Sequence, residues 1–436
     1  KWYYQKKIVI FLNLKMQNFN KYFSKKNLKE IINFGLMPLG NGFISKQNLN
    51  KKEYKFNMKL GYNKFLNLVQ LYNNPSPSKM FNKNYAFISS TSSYMKKHFF
   101  NYSRDIKKKI NKKNFSILEI GCNDGILLDN FRNNTHLGIE PSKNVFKLAK
   151  NKGLSVINSF FNRKLINHKN LKEKKFDVIC GANVFCHIPN LYEMFYTANK
   201  LLDDQGIFVI EEPYLGDMIL KTSYDQVYDE HIYIFSILSI NKIASFFSLE
   251  VFDAEHQITH GGSMRYYLCK QNKRKKSERL DKLILKEKKI GLNNFSKLKK
   301  FETNCEKSKS KLLNKIKKYG KSNNIYGYAA TSKSTTVLNY CKINNSKIKS
   351  IFDTSPTKIG KFTPITKIPI VNYNSKFQLY APKICVLFAW NHYVEICEKE
   401  LKNLKNGMRF ICHIDKKFLK KFKKYFIWKL DFLIQK

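Results

Sequence analysis

The chain has 436 residues, enough for roughly two or three domains, and carries a formal net charge of +48. Only seven of its 80 basic residues are Arg, the side chain best suited to phosphates and base edges, and the Lys are spread over the whole length. The charge therefore reads as a solvated Lys-rich surface with nonspecific attraction to polyanions. It argues against a dedicated nucleic-acid reader.

Nine Cys without a C-x-x-C pair, scattered through apolar runs, are expected as buried free thiols in a reducing cytoplasm. The start, Lys1-Trp-Tyr-Tyr, lacks Met, so either Met16 is the start or the chain is a fragment. The apolar run Ile8 to Leu14 is too short for a signal peptide, and no run reaches the ~18 residues of a membrane span.

In chain order, a first region to about residue 80 has short mixed segments with Pro38, Gly40 and Gly42 in a turn. From 81 to 270, strands are predicted at Ile117–Ile120, Leu137–Glu140, Val156–Asn158, Asp177–Cys180 and Gly206–Ile210. Helices are predicted between them, at Asn144–Lys152 and Asn190–Leu202 among others. This alternation is that of a parallel sheet covered on both faces. A Lys/Glu-rich stretch, 271–320, reads as a solvated connecting helix. A second α/β unit, 321–436, begins at Asn324-Ile-Tyr-Gly-Tyr, continues with a helix at Ser334–Cys341 and strands at Ile348–Phe352 and Ile384–Ala389, and either binds a nucleotide or packs against the first.

The segment Glu119-Ile-Gly-Cys-Asn-Asp-Gly125 follows a buried strand, and Glu140 ends the next strand. An acid about 20 residues after such a turn is where a doubly wound sheet places a ribose-binding carboxylate. The turn lacks a full G-x-G-x-x-G, so a nucleoside without phosphate fits better than a pyrophosphate. S-adenosylmethionine (SAM) has a ribose, an adenine and a cationic sulfonium. The plain alternative is a βαβ unit with an ordinary acid at a strand end.

Tyr228, Glu230 and His231 follow a parallel strand's carboxyl end, the edge at which ligands bind. A His beside an acid and a phenol can serve as a general base. His187 follows another strand end, and a structural role is its plain alternative. His260-Gly-Gly-Ser-Met-Arg265 offers amides, a hydroxyl and an Arg that could cradle a phosphate, or it is a turn between strands.

Together these segments resemble the SAM-dependent sugar C-methyltransferases, which methylate a carbon of a nucleotide-linked 4-keto-deoxysugar. The resemblance runs from about Phe34 to beyond Ala389. It rests on Phe34-Gly-Leu-Met-Pro-Leu-Gly-Asn41, Leu68–Leu71, Tyr85-Ala-Phe-Ile-Ser-Ser90, Glu119–Gly125, Tyr228–His231, His260–Ser263, Tyr326-Gly-Tyr-Ala-Ala-Thr-Ser-Lys333, Asp353-Thr-Ser-Pro-Thr-Lys358 and Trp390-Asn391.

The resemblance implies an α/β fold. A class I methyltransferase, Rossmann-like domain (81–270) would be flanked by a small N-terminal domain (1–80) and a C-terminal Rossmann-like domain (321–436). It implies SAM as cofactor, held by Glu119, Gly121, Asn123, Asp124, Gly125, Glu140 and Asn183. His231 would be the base, Tyr228 and Glu230 would orient it or the sugar, and His187 and Tyr85 would line the pocket. His260, Gly261, Gly262, Ser263, Arg265 and Lys333 would contact the substrate.

Two features depart from the family. The N-terminal zinc-binding Cys pairs are missing; the second would fall near Asn63 and Leu66, neither able to replace a thiolate, so no zinc is expected. Asp229 stands where the family has His, and a carboxylate there should raise the His231 pKa by charge pairing. The expected protein is a cytoplasmic monomer with a nucleotide-linked keto-sugar as its partner and no specific nucleic acid or membrane. The alternatives are an O-methyltransferase and a nucleic-acid-binding protein.

Overall fold

A computed structural model describes residues 17, 19–81 and 88–421, and the chain divides into two compact units. The first holds residues up to Lys29, Gly61–Gly216 and Ile232–Lys297. The second holds Glu30–Leu60, Asp217–His231 and the chain from Leu298. Strands β1 (Leu28–Met37) and β2 (Phe56–Asn63) each cross a point where the chain passes from one unit to the other.

In the first unit follow β3 (Leu68–Leu71), β4 (Ser116–Ile120), β5 (Thr135–Ile139), β6 (Val156–Ile157), β7 (Phe176–Ala182), β8 (Leu202–Pro213), β9 (Tyr233–Ile234), β10 (Leu249–Gln257) and β11 (Ser263–Lys270). Seven form one sheet in the order β10-β11-β8-β7-β4-β5-β6. The strands from β6 to β8 are parallel, whereas β11 is antiparallel to both β8 and β10. The five strands predicted between 117 and 210 fall on β4 to β8. The chain leaves β4 with β5 on one side and β7 on the other, so the crevice of this sheet opens at the carboxyl end of β4.

The core follows from apolar spacing. Helix Ser93–Ile110 turns Met95, Phe99, Tyr102, Ile106 and Ile110 to one side, at steps of three and four residues, against Ile117, Val178, Ile207 and Val209 of the sheet. Ser92 starts it, its Oγ accepting the Met95 N–H at 3.3 Å. All nine Cys are buried and free, as expected. Where zinc ligands would fall, Asn63 makes a local turn: its Oδ1 accepts the N–H of Phe65 (3.0 Å) and Leu66 (3.2 Å), and its Nδ2 donates to Tyr22 O at 2.6 Å.

The second unit carries five parallel strands: β12 (Ile325–Tyr328), β13 (Ile351–Asp353), β14 (Ile370–Asn372), β15 (Ile384–Leu387) and β16 (Arg409–Ile411), in the order β14-β13-β12-β15-β16. Helix Ser332–Tyr340 follows β12 behind a reciprocal Thr331/Ser334 capping box.

The stretch expected as one solvated helix differs. It forms two helices, Glu278–Ile290 and Phe295–Gly320, broken at Gly291 in the left-handed region. The longer buries Leu298, Phe301, Cys305, Ser308, Leu312 and Ile316, a stripe one helical face wide that the abundant Lys obscured. No helix among the described residues is long and apolar enough to cross a membrane.

Candidate active site

At the carboxyl end of β4 the backbone must reverse sharply. Gly121 does so at φ +66°, its N–H bonding Ile139 O at 2.8 Å. A Cβ at Gly121 would stand 2.5 Å from Val184 Cγ2, so the turn and the 183–187 loop touch at a place where only hydrogen fits. Glu140, just past β5, holds the turn from the other side. Its Oε2 accepts the Asn123 N–H at 2.9 Å and its Oε1 the Ser142 N–H at 2.7 Å. Burial pushes this carboxyl up from its ordinary value, and the two amides pull it back.

These elements enclose a cavity of about 510 Å³ within the first unit. Gly121, Asn123, Glu140, Asn183, His187 and His260 line it. Three expected cofactor ligands lie outside the lining. Glu119 is buried on β4, Asp124 pairs with Lys152 at 3.0 Å, and Gly125 (φ +81°) packs its turn on Leu154. Phe160, Phe161, Phe81 and Glu193 also line the cavity and were missed by sequence reasoning. Phe160 and Phe161 come three and four residues after β6, so the same strand-end rule that found Glu140 could have found them.

The charge of the lining decides what fits. Among the described lining residues there are two carboxylates, Glu140 and Glu193, and no Lys or Arg, in a chain with 80 of them. A pyrophosphate would meet no cation among the described lining residues, whereas a sulfonium and an amino group would meet opposite charge. Asn183, at φ +55°, keeps its Oδ1 buried without a hydrogen-bond partner among the described residues, an acceptor waiting for a donor. Phe81, Met95, Phe99, Phe160 and Phe161 give apolar walls for a purine and a methyl. The residues present therefore fit SAM: Glu140 would take ribose hydroxyls and Asn183 a donor. His187 stacks on Phe81 (centroids 5.5 Å apart), and burial pushes its imidazole down to about 3, so it is neutral at physiological pH.

The hairpin expected to cradle phosphate is the turn between β10 and β11. His260 takes φ +55° and Gly262 φ +131°, and Ser263 already belongs to β11, with Oγ bonded to Thr259 O at 3.1 Å. Arg265 is turned into the protein interior. It is 1% exposed, stacks on Tyr102 with Cζ 3.9 Å from the ring centre, and pairs with Glu211 at 2.8 Å and Asp105 at 2.5 Å.

In the second unit, the segment Asp217–His231 ends in the expected base. A backbone carbonyl can only accept, so the 2.7 Å contact between His231 Nδ1 and Gln226 O places the ring hydrogen on Nδ1. The lone pair is then on Nε2, 2.7 Å from Tyr228 Oη, which donates to it. Asp229 sends Oδ1 to the Gly40 N–H at 2.7 Å, and burial pushes its carboxyl up; the carboxyl expected to pair with His231 is thus biased toward neutral and turned to the Gly40 turn. Glu230 Oε1 accepts from Asn41 Nδ2 at 2.8 Å. Lys333 is buried over the Trp390 ring, and desolvation lowers its ammonium to about 8 against the pull of Asp225. Tyr85 lies outside the described residues.

Glu230 gives a pH prediction. Burial, and then Asp229, push its carboxyl up to about 8. A raised folded-state pKa contributes stability that is full below the unfolded value of about 4.3 and is lost as pH rises through 8. Glu230→Gln keeps the acceptor for Asn41. It is expected to melt above wild type at pH 8, by about 2–4 °C for each kcal/mol relieved, and to lose that margin at pH 4.5. Thermal melts at the two pH values check it, and an unchanged margin would contradict it.

Two family models match the chain, and their boundaries do not coincide with those of the two units. Residues 95–252 match the family model of a methyltransferase domain and residues 258–415 that of a C-methyltransferase C-terminal domain. The C-methyltransferase NovU of Streptomyces niveus is 26% identical over 304 residues, covering 68% of this chain and 72% of that protein. Among solved structures, a SAM-dependent methyltransferase from Clostridium acetobutylicum is 13% identical, over 42% of this chain and 94% of that one, with a TM-score of 0.32. The magnesium protoporphyrin IX methyltransferase of Synechocystis is 12% identical, over 40% and 79%, with a TM-score of 0.31.

Proposed function

We propose that this chain, which matches a methyltransferase domain and a C-methyltransferase C-terminal domain and is similar to a C-methyltransferase, methylates the carbon alpha to the ketone of a nucleotide-linked 4-keto-deoxysugar, with His231 as general base. SAM, when bound, supplies an electrophilic methyl and leaves as the neutral thioether. The observation that supports the reading is the tautomer of His231: the Gln226 carbonyl takes the Nδ1 hydrogen, which makes Nε2 the basic nitrogen. Nε2 takes the proton alpha to the ketone, and the carbon left electron-rich forms the new C–C bond with the methyl. Deprotonation beside a carbonyl needs a base of near-neutral pKa and a donor for the enolate oxygen. Tyr228 Oη, beside Nε2, is one donor in reach of the base. The substrate class rests on the resemblance of the ordered motifs, with Lys333, His260 and Tyr85 as candidate contacts.

The test is hydrogen exchange at carbon. The protein is incubated in heavy water with S-adenosylhomocysteine, which lacks the methyl, and a nucleotide-linked 4-keto-deoxysugar, and proton NMR follows the signal alpha to the ketone. Loss of that signal is expected. A sugar that is methylated in the presence of SAM yet shows no exchange would overturn carbon methylation in favour of a hydroxyl acceptor.

A further inference from the structure

The loop Asn183–His187 forms one wall of the cofactor cavity, and its own backbone contributes the His187 N–H to Val184 O bond at 3.1 Å. Asn183 sits at φ +55° and Val184 at φ −132°, ψ −34°, neither a low-energy helical start. The loop is held from β8. Glu212, fully buried near the carboxyl end of that strand, directs Oε1 to the N–H of Val184 at 2.9 Å and of Phe185 at 2.7 Å. One residue earlier, Glu211 O accepts the Asn183 N–H at 2.8 Å. So three consecutive loop residues hang from two consecutive strand residues, two of them from one side chain.

We infer that Glu212 is a positioning residue for the cofactor cavity: its carboxyl caps the turn Phe185–His187 and thereby sets Asn183, Val184 and His187 against the Gly121 turn. A backbone strand could satisfy only alternate amides of so tight a loop, whereas one carboxyl oxygen gathers adjacent ones. The consequence is steric as well as polar. Val184 Cγ2 stands 2.5 Å from where a Cβ on Gly121 would be, so a loop released from Glu212 would let Val184 drift over the turn that bounds the cofactor cavity. The carboxyl touches neither substrate nor cofactor in this account; it acts through the loop. The inference rests on the cofactor assignment alone and is independent of the acceptor sugar.

The test uses two variants of similar volume and S-adenosylhomocysteine as probe. Glu212→Gln keeps an acceptor oxygen for Val184 and Phe185; Glu212→Met keeps the shape and removes it. Calorimetric Kd for the probe is expected to stay within about threefold of wild type for Gln and to rise at least tenfold for Met, the worth of about two lost hydrogen bonds. Hydrogen exchange of the Val184 and Phe185 amides in the ligand-free protein is expected to quicken in Met and not in Gln. Met binding the probe like wild type, or Gln and Met weakening it equally, would overturn the inference, because a packing role alone would not separate them. Should the Met variant not fold, Glu212→Asp takes its place. It keeps the charge but withdraws the oxygen by one methylene, so weakened binding with quickened amides is expected there, and unchanged binding is the contrary result.

Discussion

Replacing His231 with Ala is expected to cut methyl transfer by about 10²–10⁴-fold, the usual worth of a positioned general base, while leaving S-adenosylhomocysteine affinity unchanged. The second half follows from the lining: His231 is not among the described residues that line the cofactor cavity. The first half follows from tautomer control. Gln226 O fixes the hydrogen on Nδ1, so the basic nitrogen is the one beside Tyr228, with ring centroids 4.0 Å apart. Tyr228→Phe keeps the ring contact and removes only the hydroxyl. If the phenol merely orients the imidazole, its loss should be the smaller. The double variant should then lose no more than His231→Ala alone, since residues acting as one unit are not additive. Initial rates of S-adenosylhomocysteine release over the four proteins check this. A His231→Ala rate within tenfold of wild type would remove His231 from the chemistry.

The alternation of apolar runs and helical spacing between 117 and 210 is enough to place β4 to β8, because strands buried on both faces read as continuous apolar runs. The acid Glu140 was visible for the same reason: it breaks such a run at its end. What was not legible depends on contacts distant in sequence. Nothing local in Asp217–His231 says which unit it joins, although Thr336 Oγ1 bonds Val227 O and Trp390 Nε1 bonds Asp225. Arg265 reads as a ligand-facing cation beside a Gly-Gly turn until β11 is seen to run antiparallel to β8, which lays it alongside Glu211. The long Lys-rich helix hid its apolar stripe because Lys outnumbers every other residue on it and composition averages over faces.

Arg265→Met is expected to destabilise the first unit by about 3–5 kcal/mol, the cost of stranding a buried charge, seen as a melting shift of about 10 °C or more. Burial alone would raise the Glu211 carboxyl, but His98 at 2.6 Å and Arg265 at 2.8 Å win and hold it down to about 2. A depressed folded-state pKa contributes stability that is present above the unfolded value of about 4.3 and is lost as pH falls through 2. Removing the guanidinium raises Glu211 back toward its ordinary value, so acid unfolding should begin at higher pH in the variant. Adding Glu211→Gln to it should recover part of the loss, since the stranded charge is gone while the acceptor oxygen for His98 remains. Melts and acid titrations of the single and double variants check both points. The same variants separate the two readings of Arg265: a substrate-binding Arg would leave the melt unchanged and raise only the KM for the acceptor. An Arg that ties β8 and β11 to Asp105 on helix Ser93–Ile110 loses stability whether or not any substrate is present.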